Sequence, residues 1–158
     1  MSRFSGAMRA NVGVVAALLL AACGGSDGGG DPGPEPLNPA FGGTWSGTVV
    51  LSFQSGTFEP YPGTLAITVS GNTATVSLVC PITAAGSLEA HGSGNSVSWD
   101  GTLVCPPLVF PTICDYVVLT YRHATATLSG GTLTAIATGN GTGCGRTESM
   151  TVTFLGTK

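Results

Sequence analysis

The chain has 158 residues, of which 25 are Gly and 10 Pro, and only 8% are charged. Five basic residues stand against eight acidic ones, a formal net charge of −3 at pH 7. No basic stripe runs along it, which argues against nucleic acid as a partner, because phosphate binding needs clustered Lys and Arg.

The chain opens on a leader, residues 1–22. Arg3 and Arg9 are its only charges, and Val12 to Ala22 is an uncharged, mostly apolar run of 11 residues. A spanning helix needs about 20 residues to cross ~30 Å of hydrocarbon, so the run has the length of an export-signal core instead. It closes with Leu20, Ala21, Ala22 and Cys23. This ending resembles the lipobox of bacterial lipoproteins. The resemblance implies cleavage before Cys23 and acylation of Cys23 with palmitate-type chains as the lipid anchor. It also implies residence in the bacterial cell envelope. Gly24 rather than Asp follows, which by the enterobacterial sorting rule implies the outer membrane. Each buried CH₂ contributes ~0.8 kcal/mol, and two or more chains anchor stably without a transmembrane helix. Without the leader, Arg122, Arg146 and Lys158 face the eight acids, a net charge of −5.

Residues 23–40 read as the anchor cysteine and a tether. Residues 24–40 are GGSDGGGDPGPEPLNPA, with Leu37 the only large apolar side chain. Such a segment buries too little to offset its ordering entropy. Its Gly half is flexible and its Pro half extended.

Residues 41–158 have the length of one domain. Apolar and Ser/Thr residues alternate with period two through most of it, and no window carries a helical stripe. Eight strands are expected, at about 43–53, 63–70, 73–79, 86–91, 96–104, 115–128, 131–138 and 147–155. Turn residues separate them: Gly71 and Asn72, Gly94 and Asn95, Gly130 and Gly131, and Gly139 to Gly141. The fold class is all-β. Eight strands joined by short turns predict an antiparallel up-and-down barrel, with a two-sheet sandwich as the alternative. The sixth strand changes phase between Tyr121 and Ala124, so a bulge is expected near Arg122 and His123.

Beyond Cys23 the chain holds Cys80, Cys105, Cys114 and Cys144. In an oxidising compartment this even set reads as two disulfides. In a meander all four fall at one rim. Pairing Cys80 with Cys105 and Cys114 with Cys144 is preferred; Cys105 with Cys114 and Cys80 with Cys144 is the alternative. Their spacings of 25, 9 and 30 residues do not match close-paired zinc motifs, and no metal or other cofactor is expected.

Gly43, Thr44 and Trp45 head the first strand. The triplet resembles the Gly-x-Trp that opens the first strand of lipocalins and avidin-like barrels. The resemblance implies a small calycin-like barrel with Trp45 packed across one end and room for an apolar ligand. No nucleophile elbow frames a serine, and His91 and Glu89 share the water-facing parity, so an enzyme is not expected. The polar candidate is Tyr121 with Arg122. An inward Arg122 would pair with Glu148 and suit an anionic ligand; a solvated strand end is the other reading. Phe110, in the apolar loop between Cys105 and Cys114, is a candidate contact for a partner or a plug for the barrel mouth. These features point to a membrane-anchored, non-enzymatic binding module for a small apolar ligand or a protein partner. The alternatives are a structural or surface-interaction lipoprotein with a filled core and, by fold analogy, a barrel-type protease inhibitor.

Overall fold

A computed structural model describes residue 33 and residues 35–77, 87–105, 108–110 and 114–158, with backbone only at 108–110 and 114–116. The leader, Cys23 and Cys80 lie outside the described residues. A 3₁₀ turn, Pro39–Phe41, precedes ten strands. These are β1 (Gly43–Phe53), β2 (Gly56–Thr57), β3 (Tyr61–Ser70), β4 (Thr73–Ser77), β5 (Ser87–Ser93), β6 (Ser96–Val104), β7 (Leu108–Phe110), β8 (Cys114–Ser129), β9 (Thr132–Gly143) and β10 (Arg146–Thr157).

Eight of these form a closed antiparallel barrel, in the order β1, β3, β4, β5, β6, β8, β9, β10, and β10 pairs back onto β1. The sandwich is thereby ruled out. Strands β2 and β7 are short additions on β1 and β8. No α-helix occurs among the described residues. Closure removes every long sheet edge, which otherwise invites pairing with other chains. Thr and Ser side chains cover most of the outside, while the apolar parity of each strand points in.

The phase change in β8 is resolved as expected. Its register against β9 shifts between Tyr121 and His123, so Arg122 is the extra residue of a bulge. Leu119, Tyr121 and Leu128 are all buried as a result.

Two expectations need correction. Gly139, Asn140 and Gly141, expected as a turn, lie inside β9. A Cβ at Gly139 would stand 2.0 Å from the Thr120 carbonyl, and one at Gly141 2.3 Å from the Phe53 ring. These glycines permit close approach rather than turning. The chain turns at Cys144 and Gly145, with φ of 51° and 73°. Two left-handed residues make a hairpin turn that follows the strand twist.

The second correction concerns the tether. Its last residues belong to the domain. Leu37 is 2% exposed and bridges in parallel to Gly94. Its N–H donates to the Gly71 carbonyl at 3.2 Å, and Asn38 N–H donates to the Gly94 carbonyl at 2.7 Å. Here one apolar side chain suffices, because the backbone bonds to turn residues that the barrel already holds in place.

One end of the barrel is therefore sealed. Leu37, Phe41 and Trp45 lie across it above Leu128 and Leu133 in a single buried cluster. Trp45 Nε1 donates to the Phe41 carbonyl at 2.8 Å. The Lys158 ammonium lies 4.7 Å over the Trp45 ring and donates to the Ala40 and Gly42 carbonyls. A second buried cluster, Leu51, Leu119, Tyr121, Met150 and Cys105, lies towards the opposite end.

Candidate functional site

Among the described residues, the opposite end is open. The ends of β1 and β9 and the starts of β8 and β10 meet there, with β2 folded back on β1. Phe53 ends β1 on its inward parity. Phe58 follows β2, and its N–H donates to the Leu51 carbonyl at 2.9 Å. The two rings meet edge to face, 5.7 Å between centroids and 73° between planes. Gly141, facing Phe53, leaves the ring its space. Val117 and Gly143 form the far wall. The pocket so enclosed has a volume of about 510 Å³ and is rimmed by Ser55, Arg146 and Glu148. Sites for drug-sized molecules run ≈ 300–1,000 Å³.

Arg146 and Glu148 reach this rim because they share the parity of buried Met150 on β10. The Glu148 side chain is 18% exposed, and its Oε2 accepts from the Ser55 backbone N–H at 3.0 Å. Its Oε1 lies 3.6 Å from Arg146 Nη1. The Ser55 hydrogen bonds first, and Arg146 second, hold its carboxyl below the ordinary carboxylate range. Glu148 thus ties the β1–β2 turn to β10. Arg146 is 72% exposed and keeps donors directed at solvent.

Below the rim, Leu51, Leu119, Tyr121 and Met150 close the mouth off from the barrel interior. Burial pushes the Tyr121 phenol well above its ordinary range, and neighbouring Tyr61 adds to the effect. Burial raises Tyr61 as well. The Tyr61 hydroxyl is buried with no hydrogen-bond partner among the described residues.

The sequence candidates fall in different places. Trp45 is in the sealed end, 1% exposed. Tyr121 is in the partition beneath the mouth. Arg122 takes the solvated reading and does not join the site: as the extra residue of the bulge it is exposed, with a 3.5 Å contact from Nη1 to Thr102 Oγ1. The Arg122–Glu148 pair that an inward Arg122 would make does not form, and Arg146 takes that place. Phe110 ends β7 opposite Cys114. Cys105 and Cys144 are both in the disulfide form. Their positions, after β6 and in the β9–β10 turn, are at the open end. So is the backbone of Cys114, at the start of β8.

His91 and Glu89 face water, 3.9 Å apart and mostly exposed. His123 Nδ1 and Asp100 Oδ1 pair at 2.7 Å on the outer surface. Among the described residues no hydroxyl is hydrogen-bonded to that pair, and no cluster of three metal-ligating side chains occurs. Sequence reasoning missed Phe53, Phe58 and Arg146 as a set. The available signal was Arg146, Glu148 and Met150 alternating on one face of β10.

Comparison with known proteins adds no relative to this geometry: no family model, no curated protein and no solved structure matches the chain.

Proposed function

We propose that this chain is a lipid-anchored, non-enzymatic binding module whose open end takes an amphipathic ligand, an apolar body with one acidic group. The observation that carries the reading is the mouth pocket of about 510 Å³, with Phe53, Phe58 and Val117 on its walls and Arg146 at its rim. The rings supply apolar contact. The planar guanidinium pairs with a carboxylate in a fork geometry that a lysine lacks. Glu148 does not compete for that role, because its oxygens are engaged by Ser55 and Arg146.

The lipobox-like leader supports Cys23 as the anchor, with the outer membrane as the expected location. The disulfide state of Cys105 and Cys144 fits an oxidising compartment. The pairing of Cys80 with Cys105 and Cys114 with Cys144 is part of this proposal. Residues 37 and 38 bond to the barrel at the sealed end, away from the pocket.

Titration calorimetry with decanoate tests the binding. Saturable one-to-one binding that weakens about tenfold in Arg146→Gln is expected. Absence of saturable binding to the folded wild type overturns the reading in favour of a structural lipoprotein. For the anchor, an intact mass of detergent-extracted protein that lacks acyl chains on Cys23 overturns that part.

A further inference from the structure

Behind the partition, the register of the strands stacks small residues at the middle of the barrel. Ala124 faces Ala137 across β8 and β9, and Ala126 faces Ala135 one level further in. On the other side Ala74 faces Ala90 across β4 and β5. An eight-stranded barrel is just wide enough for ordinary side chains to fill it. Six alanines on its inner wall leave it underfilled. The result is a chamber of about 120 Å³, bounded also by Trp99, Tyr121, Val152 and Phe154. It is separate from the mouth pocket, with which it shares no lining residue among those described. Leu133 and Phe154 of the sealed-end cluster and Tyr121 of the second cluster are among its lining residues.

The chemistry of the walls limits what can enter. They are almost entirely aliphatic and aromatic, so water finds too few polar partners to settle there. An apolar cavity of ~150 Å³ in another protein stays dry and takes benzene or xenon. A chamber of about 120 Å³ has space for a single ring and no more. An acyl chain or a porphyrin-sized molecule does not fit.

We infer that the barrel interior is a second binding site, selective for one small uncharged apolar molecule the size of a benzene ring. It is independent of the mouth. The charged groups of the open end, Arg146 and Glu148, do not line it.

The test uses the folded wild-type chain. Crystals pressurised with xenon are expected to show one peak between Ala135 and Ala90. In solution, benzene is expected to raise Tm saturably and to change Trp99 fluorescence. Ala135→Leu fills the chamber from β9 and Ala90→Leu from β5, and each is expected to abolish the benzene shift while retaining a cooperative melt. Arg146→Gln, which alters only the exposed rim of the mouth, is expected to leave the shift unchanged. Xenon density absent from the chamber, or no benzene shift in the wild type, overturns the inference. So does a shift that survives both filling variants or disappears with Arg146→Gln. Failure of decanoate binding at the mouth leaves every one of these outcomes unaffected.

Discussion

The two ends of this barrel are built from the same kinds of residue and do opposite things. At the sealed end Phe41 and Trp45 are almost wholly buried, and their backbone and indole partners are internal. At the open end Phe53 and Phe58 are only half-buried and meet each other edge to face. The cations differ in the same way. Lys158 is spent on two carbonyls and an indole face, whereas Arg146 has one long contact and solvent around it. The difference comes from the flanking chain. An N-terminal segment lies across one end, and no described segment lies across the other. Aromatic residues on the inner wall of a small barrel are thus structural or available according to what covers them.

The contrast can be broken most forcefully at the sealed end. Trp45→Ala is expected to lower stability by about 3–5 kcal/mol, the cost of deleting a large buried aromatic. Urea denaturation reads it as a fall in midpoint at unchanged slope. Leu37→Ala should cost roughly 2–4 kcal/mol in the same assay, because this residue behaves as core. A neutral result would return residues 35–40 to the tether.

At the mouth the expected effects move from stability to binding. Arg146→Gln should leave the urea midpoint nearly unchanged, since exposed ion pairs are worth about 0–1 kcal/mol. It should weaken decanoate by about tenfold, in line with ~1.5–3 kcal/mol for a charge-assisted hydrogen bond. Acid offers a finer probe. The folded Glu148 carboxyl titrates below its unfolded value, so its contribution is fully present above the unfolded pKa and is lost as pH falls through the folded one. Thermal melts of the wild type should decline more steeply over that acid window than those of Glu148→Gln. Parallel declines would show that the Ser55 latch contributes nothing. The smallest expected change is Lys158→Met, about 0.5–1 kcal/mol for loss of an exposed cation–π contact. A double-mutant cycle with Trp45→Phe separates that contact from the carbonyl bonds.

Much of the architecture was legible in the sequence, for local reasons. Period-two alternation marks Trp45 to Phe53 and Met150 to Phe154 as strands whatever their partners. The phase change between Tyr121 and Ala124 has one economical solution, a bulge, and the bulge is there. The misreadings share a cause, which is contact across the fold. Gly139 and Gly141 look like turn residues until the Thr120 carbonyl and the Phe53 ring are seen against them. Leu37 looks stranded among Gly and Pro until the turns at Gly71 and Gly94 receive it. Arg122 had two readings, inward or solvated, because a bulge residue can turn either way and sequence parity does not choose; it is solvated. The mouth pocket was only half legible. Glu148 could be placed on the inner parity of β10, but its neighbours come from Ser55, more than ninety residues earlier.

The seam between β1 and β10 has a consequence for how this molecule is made. Ser46 pairs with Thr157 and Phe53 with Met150, so the first barrel strand finds one of its two neighbours only in the last. Contacts of such sequence separation fold slowly, because the closure entropy of the whole chain precedes any gain from pairing. Until β10 arrives, β1 and β9 are open edges and the inner wall is accessible from the side. Synthesis or threading through a pore from the N-terminus delivers that strand last. The chain therefore stays pliable for as long as it is being delivered, and its interior is walled off in a single final step.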